Sequence, residues 1–214
     1  MNWLYTLVFA GLMFSSGSEG PSPAVSAVNA AEPAAAQMLQ GDEREKFEQS
    51  YPISPSGRVS VSNVNGPIVV EAWDRNEVKL EAIKIADTRE ALADVQIKVD
   101  SRADHFSVEA DYDGWRRNGD KGWKNHKRLD VSFHLSVPRT AVLDEIEAVN
   151  GSVTVSNFVN VTKVSAVNGS VSAVNLRGTA TLETVNGEVA ADFDRIEAGS
   201  KISLSTVNGR ASVV

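Results

Sequence analysis

A tripeptide that recurs along the chain, Val-Asn-Gly, constrains the fold more than any other feature of the sequence. It occurs five times, and the Asn residues of the last four copies are separated by 18, 18 and 22 residues. The five Asn-Gly pairs are Asn65-Gly66, Asn150-Gly151, Asn168-Gly169, Asn186-Gly187 and Asn208-Gly209. A period of this length indicates one structural unit per copy, with neighbouring units stacked on each other.

Apolar residues recur at fixed distances from each Asn. Val stands directly before it in every copy, and aliphatic residues also stand four positions before it, three after it and five after it. Mostly Ser, Thr, Glu and Ala lie between these columns, so apolar and polar residues alternate on both sides of the Asn-Gly pair. Alternation with a period of two predicts a β-strand on each side.

Two β-architectures fit this repeat. The first is an antiparallel meander, because Asn-Gly between alternating strands is the strongest short hairpin signal. A meander needs a second turn about nine residues later, and the residues at those places differ between copies: Ser156-Asn157, Asn175-Leu176 and Asp192-Phe193. One invariant corner and one variable corner favour the second architecture, a β-solenoid of about 18 residues per coil. Its Asn side chains would stack about 4.8 Å apart and hydrogen-bond as a ladder.

The Asn residues of the first and second copies are 85 residues apart, and the chain between these copies has a different pattern. This pattern predicts strands over 77–86, 95–99, 106–112 and 129–137 and a short helix over 88–93. We expect antiparallel β-structure that caps one end of the solenoid, since a bare end exposes unpaired backbone groups. Within it, we expect strands 106–112 and 129–137 to pair as a hairpin. The predicted fold class is therefore all-β: a solenoid capped by an N-terminal antiparallel β region with one short helix.

The chain is predicted to divide into four segments. Residues 1–18 are interpreted as a signal peptide, because Trp3 to Phe14 is an apolar run too short to span a bilayer, although no Lys or Arg precedes Arg44. Residues 19–46 are an Ala/Pro/Ser-rich linker that we expect to be disordered. Residues 47–145 hold the first coil and the capping region. Residues 146–214 hold the other coils, and we expect further coils after them because the alternation is unfinished at the last residue.

The repeats resemble a known family. The Val-Asn-Gly copies, the stretch Gly66-Pro-Ile-Val-Val-Glu-Ala-Trp73 and the strand end Leu135-Ser-Val-Pro138 are similar to the putative-adhesin family of β-strand-repeat proteins, a bacterial domain of unknown function. The resemblance covers roughly residues 47–214. It implies a β-solenoid in an exported or envelope-associated protein, and it supplies no catalytic residues.

Composition and motifs argue against several functions. The chain has no cysteine, which removes disulfides, thiolate catalysis, Cys-ligated metals and a lipoprotein anchor. Its net charge of -7 argues against nucleic acid as the main partner. No phosphate loop, dinucleotide fingerprint or nucleophile elbow occurs, so no cofactor, metal or catalytic residue is predicted. On the expected hairpin, His105 and His134 would be diagonal neighbours near Glu109, and we interpret them as surface residues.

One segment stands out by its charge, the loop between Asp113 and Arg128. Six basic residues and two tryptophans lie in it beside two aspartates. Cations interleaved with aromatic rings are used to bind anionic polymers. The candidate binding residues are Trp115, Arg116, Arg117, Lys121, Trp123, Lys124, Lys127 and Arg128. A hairpin tip with no ligand is the alternative interpretation.

Three functions fit the sequence. The favoured one is a non-enzymatic exported or cell-envelope protein that presents the solenoid as a putative adhesin or surface scaffold. The second is an interaction module for a membrane signalling protein. The third is a polysaccharide-active enzyme that uses carboxylates of one coil: Glu183, Glu188, Asp192, Asp194 and Glu197. The predicted partners are anionic envelope polymers or a membrane protein, and no transmembrane segment is predicted.

Overall fold

The computed structural model of the protein describes residues 42–114, 128–196 and 198–214. Strands take 69% of these residues and helix 4%, so the class is all-β, as predicted. The strands form two mixed sheets, and neither sheet is closed. The predicted signal peptide and residues 19–41 of the predicted linker lie outside the described residues. Residues 43–46, the end of that linker, already belong to the first strand.

The first sheet has seven strands. In sheet order they are β14 (Ile202–Asn208), β12 (Ala180–Asn186), β10 (Asn160–Asn168), β8 (Val142–Asn150), β2 (Arg58–Asn65), β6 (His105–Asp111) and β5 (Gln96–Ser101). All neighbours in this sheet are parallel except β5 and β6. The five strands that end at an Asn of the repeat therefore lie side by side.

The second sheet has eight strands. In sheet order they are β1 (Glu43–Pro52), β4 (Glu77–Ala86), β7 (Leu129–Pro138), β3 (Ile68–Trp73), β9 (Val153–Ser156), β11 (Val171–Arg177), β13 (Val189–Arg195) and β15 (Ala211–Val213). The pairs β1–β4 and β4–β7 are antiparallel, and the remaining pairs are parallel. The strands that follow each Asn-Gly pair are thus the neighbours in this sheet.

Each repeat places one strand in each sheet. The strand before the Asn-Gly pair enters the seven-stranded sheet and the strand after it enters the eight-stranded sheet. The register keeps equivalent residues opposite each other, as in Asn150 beside Asn168 and Asn168 beside Asn186. The antiparallel meander is excluded for the described repeats, because the two strands that flank an Asn-Gly pair are in different sheets.

The core lies between the two sheets. The columns four before, three after and five after the Asn are buried in the first four repeats, for example at Ile146, Val153 and Val155. In the last repeat the same columns are more open: Leu204 is only partly buried and Ala211 and Val213 are exposed. Because no described strand follows β14 or β15 in the sheets, this repeat has a neighbour on one side alone.

The antiparallel strands lie together at the other end of both sheets. β1 and β4 pair over ten residues in the eight-stranded sheet, and β5 pairs with β6 in the seven-stranded sheet. The predicted short helix is α1 (Arg89–Ala93), and the Thr88 side chain caps it by accepting a hydrogen bond from the backbone N–H of Ala91 at 3.2 Å.

The predicted hairpin between strands 106–112 and 129–137 is wrong. β6 pairs with β2 and β5, whereas β7 pairs with β3 and β4 in the other sheet. The chain between them therefore crosses from one sheet to the other. The alternation patterns of β6 and β7 predict strands but carry no information about which sheet each strand joins.

Candidate binding surface

The five repeat Asn side chains form the predicted ladder. In each step, the Nδ2 of one Asn donates to the Oδ1 of the Asn in the preceding repeat. The distances are 3.0 Å from Asn150 to Asn65, 2.9 Å from Asn168 to Asn150, 2.9 Å from Asn186 to Asn168 and 2.8 Å from Asn208 to Asn186. A chain of amides in which each one donates to the next orients all five side chains alike.

A row of exposed valines runs beside this ladder. The Val that precedes each Asn faces outward on the seven-stranded sheet, since residues of a strand alternate between its two faces. The exposed fractions are 40% for Val149, 40% for Val167, 39% for Val185 and 72% for Val207, whereas Val64 in the first repeat is partly buried against the core. We call the Asn ladder and these four exposed valines the valine–asparagine corner.

Glycine at the corner lets the repeats approach closely. A Cβ atom built on Gly169 would overlap the backbone carbonyl of Gly151, and one built on Gly187 would overlap that of Gly169. Of the five repeat glycines, all in the described residues, only Gly66 has a positive φ, at 113°. The glycines of the later repeats are therefore required by close approach of the neighbouring backbone.

Buried polar contacts hold the first repeat to the neighbouring strands. The Nδ2 of Asn63 donates to the backbone carbonyls of Gly66 at 3.0 Å and Val131 at 2.7 Å. The hydroxyl of Tyr112 donates to the backbone carbonyl of Asn65 at 3.1 Å. Burial raises the pKa of Tyr112 above its ordinary value, which keeps the hydroxyl neutral and available as a donor. These contacts join β2 to β7 and to the end of β6.

Ion pairs cover part of the outer face next to the corner. The Nζ of Lys163 on β10 lies 2.9 Å from Glu145 and 3.3 Å from Glu147 on β8. Its hydrogen bond lowers the pKa of Glu145 below the ordinary range, and the two glutamates raise the pKa of Lys163. One lysine balances one of the two glutamates, so this cluster beside the valines keeps a net charge of about -1.

Most of the predicted basic loop lies outside the described residues. This applies to Trp115, Arg116, Arg117, Lys121, Trp123, Lys124 and Lys127. Arg128 is described, and its guanidinium pairs with Asp42 at 2.7 Å and Asp130 at 2.8 Å. The hydrogen bond that the Nε of Arg128 donates to Asp130 is the main reason why the pKa of Arg128 is raised.

The two histidines of the capping region lie apart. His105 begins β6 in the seven-stranded sheet, and His134 is on β7 in the eight-stranded sheet, where its Nε2 lies 3.7 Å from Glu71. The expectation that they are neighbours is wrong, because it required the hairpin. The described residues contain no group of three His, Asp or Glu placed to hold a metal ion.

The carboxylates considered for catalysis are spread over two sheets. Glu183 is on β12 of the seven-stranded sheet, whereas Asp192 and Asp194 are on β13 of the eight-stranded sheet. Glu188 lies at the corner between these strands, and Glu197 lies outside the described residues. Asp194 pairs with Arg177 at 2.5 Å.

Two features of the surface are absent from the sequence predictions. The first is the exposure of the valine row, for which the sequence did hold a signal: Val occurs in all five copies three residues after the buried column of the same strand, which places it on the opposite face of that strand. The second is a contact between Asn157 and Asn175, 18 residues apart, in which one Nδ2 donates to the other Oδ1 at 2.6 Å. Within the described ranges, no helix has the length and apolar character to span a membrane.

Comparisons with known proteins complete the description. No protein-family model and no curated protein sequence matches the chain. Among solved structures, a putative cell adhesion protein from Clostridium sporogenes aligns with a TM-score of 0.46 and 10% identity, covering 79% of this chain and 99% of that chain. A putative lipid binding protein from Parabacteroides distasonis gives 0.35 and 13%, covering 78% of this chain and 62% of that chain. A putative adhesin from Bacteroides fragilis gives 0.30 and 11%, covering 79% and 97%. All three TM-scores are below 0.5 and all three identities are 13% or less, so these are weak likenesses.

Proposed function

We propose that this chain is a non-enzymatic β-solenoid protein, exported to the bacterial cell envelope, which uses the valine–asparagine corner as an adhesion surface. The proposal places it with the putative-adhesin family that its repeats resemble. The predicted basic loop, residues 113–128, remains a second proposed contact, for anionic envelope polymers.

The exposed valine row is the observation that carries this proposal. Thr has nearly the shape of Val and a similar preference for strands, and it would expose a hydroxyl instead of a methyl group. The repeat uses Ser, Thr, Glu and Lys at its other outward positions on these strands, but Val directly before the Asn in all five copies. A continuous apolar row with a polar border is typical of an interaction site.

The parallel register supports the solenoid. Each repeat contributes one strand to each sheet and lies beside the next repeat with equivalent residues opposite. Strand spacing in a sheet is about 4.8 Å, so the corner presents one Val and one Asn at each step. Such a rigid and regular array suits binding to a repetitive or extended partner, because each added contact costs little further ordering.

The placement of charges supports a non-enzymatic role. The repeat carboxylates with close cations, such as Glu145, Glu147 and Asp194, contribute to ion pairs on the surface. Glu183 and Asp192 lie on different sheets, so these two do not face a common substrate in the way that acid/base catalysis of glycoside cleavage requires.

Replacing all four exposed valines of the corner by Thr tests the adhesion surface. The variant carries Val149→Thr, Val167→Thr, Val185→Thr and Val207→Thr, and the assay is binding of the full chain to isolated bacterial envelope fractions. Each change removes one methyl group from the contact, worth about 0.8 kcal/mol when buried. We expect the affinity to fall about 100-fold while the circular dichroism spectrum is unchanged.

Val174→Thr is the matched control. Val174 is 42% exposed on β11, outside the corner, so its replacement removes a similar exposed methyl group without touching the proposed surface. We expect the control to bind like the unaltered chain. Equal binding by the fourfold variant would refute the adhesion surface.

A further inference from the structure

A small cavity lies where the chain turns from the eight-stranded sheet back to the seven-stranded sheet. Its volume is about 160 Å³, and it is lined by Arg139, Asn157, Val159, Asn175 and Arg177. These residues come from the turn after β7, the turn after β9 and the end of β11. None of them belongs to the valine–asparagine corner.

The two asparagines are fixed by backbone and side-chain geometry. Asn157 has φ 68° and Asn175 has φ 55°, the left-handed conformation that Asn tolerates better than most residues. The Nδ2 of Asn175 donates to the Oδ1 of Asn157 at 2.6 Å. This bond leaves the Nδ2 of Asn157 with no hydrogen-bond partner among the described residues.

The two arginines are held in place while keeping a free donor each. The Nε of Arg139 donates to Asp74 at 3.2 Å, and its Nη1 donates to the backbone carbonyl of Asn157 at 3.2 Å. The Nε and Nη2 of Arg177 contact the Oδ2 of Asp194 at 2.8 and 2.5 Å. Among the described residues, the Nη2 of Arg139 and the Nη1 of Arg177 have no partner.

We propose that this cavity is a binding site for an oxyanion, namely a carboxylate or phosphate group carried by an anionic polymer. Guanidinium groups bind such groups through paired N–H donors, and their planar shape fixes the direction of those donors. The amide of Asn157 supplies a third donor in the same cavity. The volume is sufficient for a carboxylate or phosphate group and is smaller than that of pockets which enclose drug-sized ligands.

The nearby carboxylates set the strength of binding. Asp74 and Asp194 each balance one arginine, so an incoming oxyanion gains hydrogen bonds but little net attraction. A single site therefore binds weakly, with Kd on the order of 1 mM. A polymer with many charged groups compensates for this weak binding. When one group leaves the cavity, the next group of the same polymer is held nearby at a high effective concentration. This inference does not depend on the valine–asparagine corner.

The test is a titration of the isotope-labelled full chain followed by NMR of the arginine Nε–H and Asn side-chain signals. The ligands are oligogalacturonate for the carboxylate, polyphosphate for the phosphate and an uncharged glucose oligomer of equal length. We expect saturable shifts of the Arg139, Arg177 and Asn157 signals with one or both charged ligands. The charged ligand that causes these shifts shows whether the cavity binds a carboxylate or a phosphate group.

Three variants decide whether the cavity itself is the site. Arg139→Gln and Arg177→Gln should each weaken binding at least 5-fold, and Arg177→Lys should weaken it too, because it keeps the charge but loses the planar donors. Arg58→Gln is the matched control. The guanidinium of Arg58 donates to Asp144 through Nε and Nη2, as that of Arg177 does to Asp194, but Arg58 does not line the cavity. We expect this control to bind normally.

Three results would overturn the proposal. They are no shift with either charged ligand, equal shifts with the uncharged oligomer, and undiminished binding by the double variant of Arg139 and Arg177. A variant that loses its strand signal in circular dichroism is replaced by Arg177→Lys, which retains the pairing with Asp194.

Discussion

At the scale of single residues, the Asn and the Gly of the repeat have separate tasks. The Asn side chain bonds to its equivalent in the neighbouring repeat, and this ladder follows from the 18-residue spacing in the sequence. The Gly leaves space for the neighbouring repeat: Gly169 and Gly187 have no positive φ, but a Cβ atom on either would overlap a neighbouring carbonyl. This requirement is visible in the structure, where the backbones of neighbouring repeats lie against each other, and not in the sequence.

Gly169→Ala tests the close approach. The added Cβ would overlap the carbonyl of Gly151, so the two repeats must separate and the Asn ladder must lengthen. Overpacking of this kind costs about 1–3 kcal/mol. We expect the free energy of unfolding, measured in urea, to fall by about 2 kcal/mol, whereas Ser170→Ala at the adjacent exposed position should change it by less than about 0.5 kcal/mol. Equal effects of the two substitutions would contradict this account.

Glu48 predicts a specific dependence of stability on pH. Hydrogen bonds from Lys79 and then Lys46 lower its pKa from 4.5 to about 2. In the unfolded chain the carboxyl group regains its ordinary pKa, so this interaction stabilises the fold fully above about pH 4.5 and is lost as the pH falls towards 2.

Glu48→Gln should therefore make the free energy of unfolding less dependent on pH between 4.5 and 2, because the residue no longer titrates. Denaturant unfolding at several pH values measures it. Glu109→Gln is the control, since Glu109 is exposed on β6 and has no ion pair among the described residues. A pH profile of Glu48→Gln that matches the unaltered chain would show that the ion pairs do not contribute.

At the scale of elements, local patterns predict strands well and their partners only where a repeat exists. The predicted strand over 77–86 is β4, and the predicted helix is α1 with Thr88 as its cap. Within the repeat, the spacing also fixes the parallel register. β6 and β7 have no such repeat, and their assignment to different sheets depends on contacts with β2 and β3 that are distant in sequence.

The last repeat should be the least stable element. Leu204 is only partly buried and Val213 is exposed, whereas Val155 and Val164 at inner repeats are fully buried. Fewer buried contacts lower the free energy of local opening. We expect amide hydrogens of β14 and β15 to exchange at least about 10-fold faster than those of β8 and β10 in hydrogen exchange detected by NMR. Uniform protection across these strands would contradict the prediction.

At the scale of the whole described structure, the two ends of the sheets differ. β1 at one edge is rich in charged residues such as Lys46 and Glu48, which disfavour pairing with another strand. β15 at the opposite edge carries Ala, Ser and Val. The contrast between the antiparallel region and the repeats was predicted from the sequence, but β1 itself was not, since residues 43–46 were assigned to the linker. The sequence did not predict the arginine cavity, because Arg139 and Arg177 come together only when the repeats stack.

The central claim is that each Val-Asn-Gly copy adds one strand per sheet, and a distance between spin labels tests it most directly. The chain has no cysteine, so Ser62→Cys and Ser205→Cys would carry the only two labels. These residues face outward at equivalent positions of the first and last repeats, four strand steps apart in the seven-stranded sheet. At about 4.8 Å per step, the predicted separation is about 19 Å. A separation of about 38 Å or more, as expected when both strands of every copy lie in one sheet, would contradict the account.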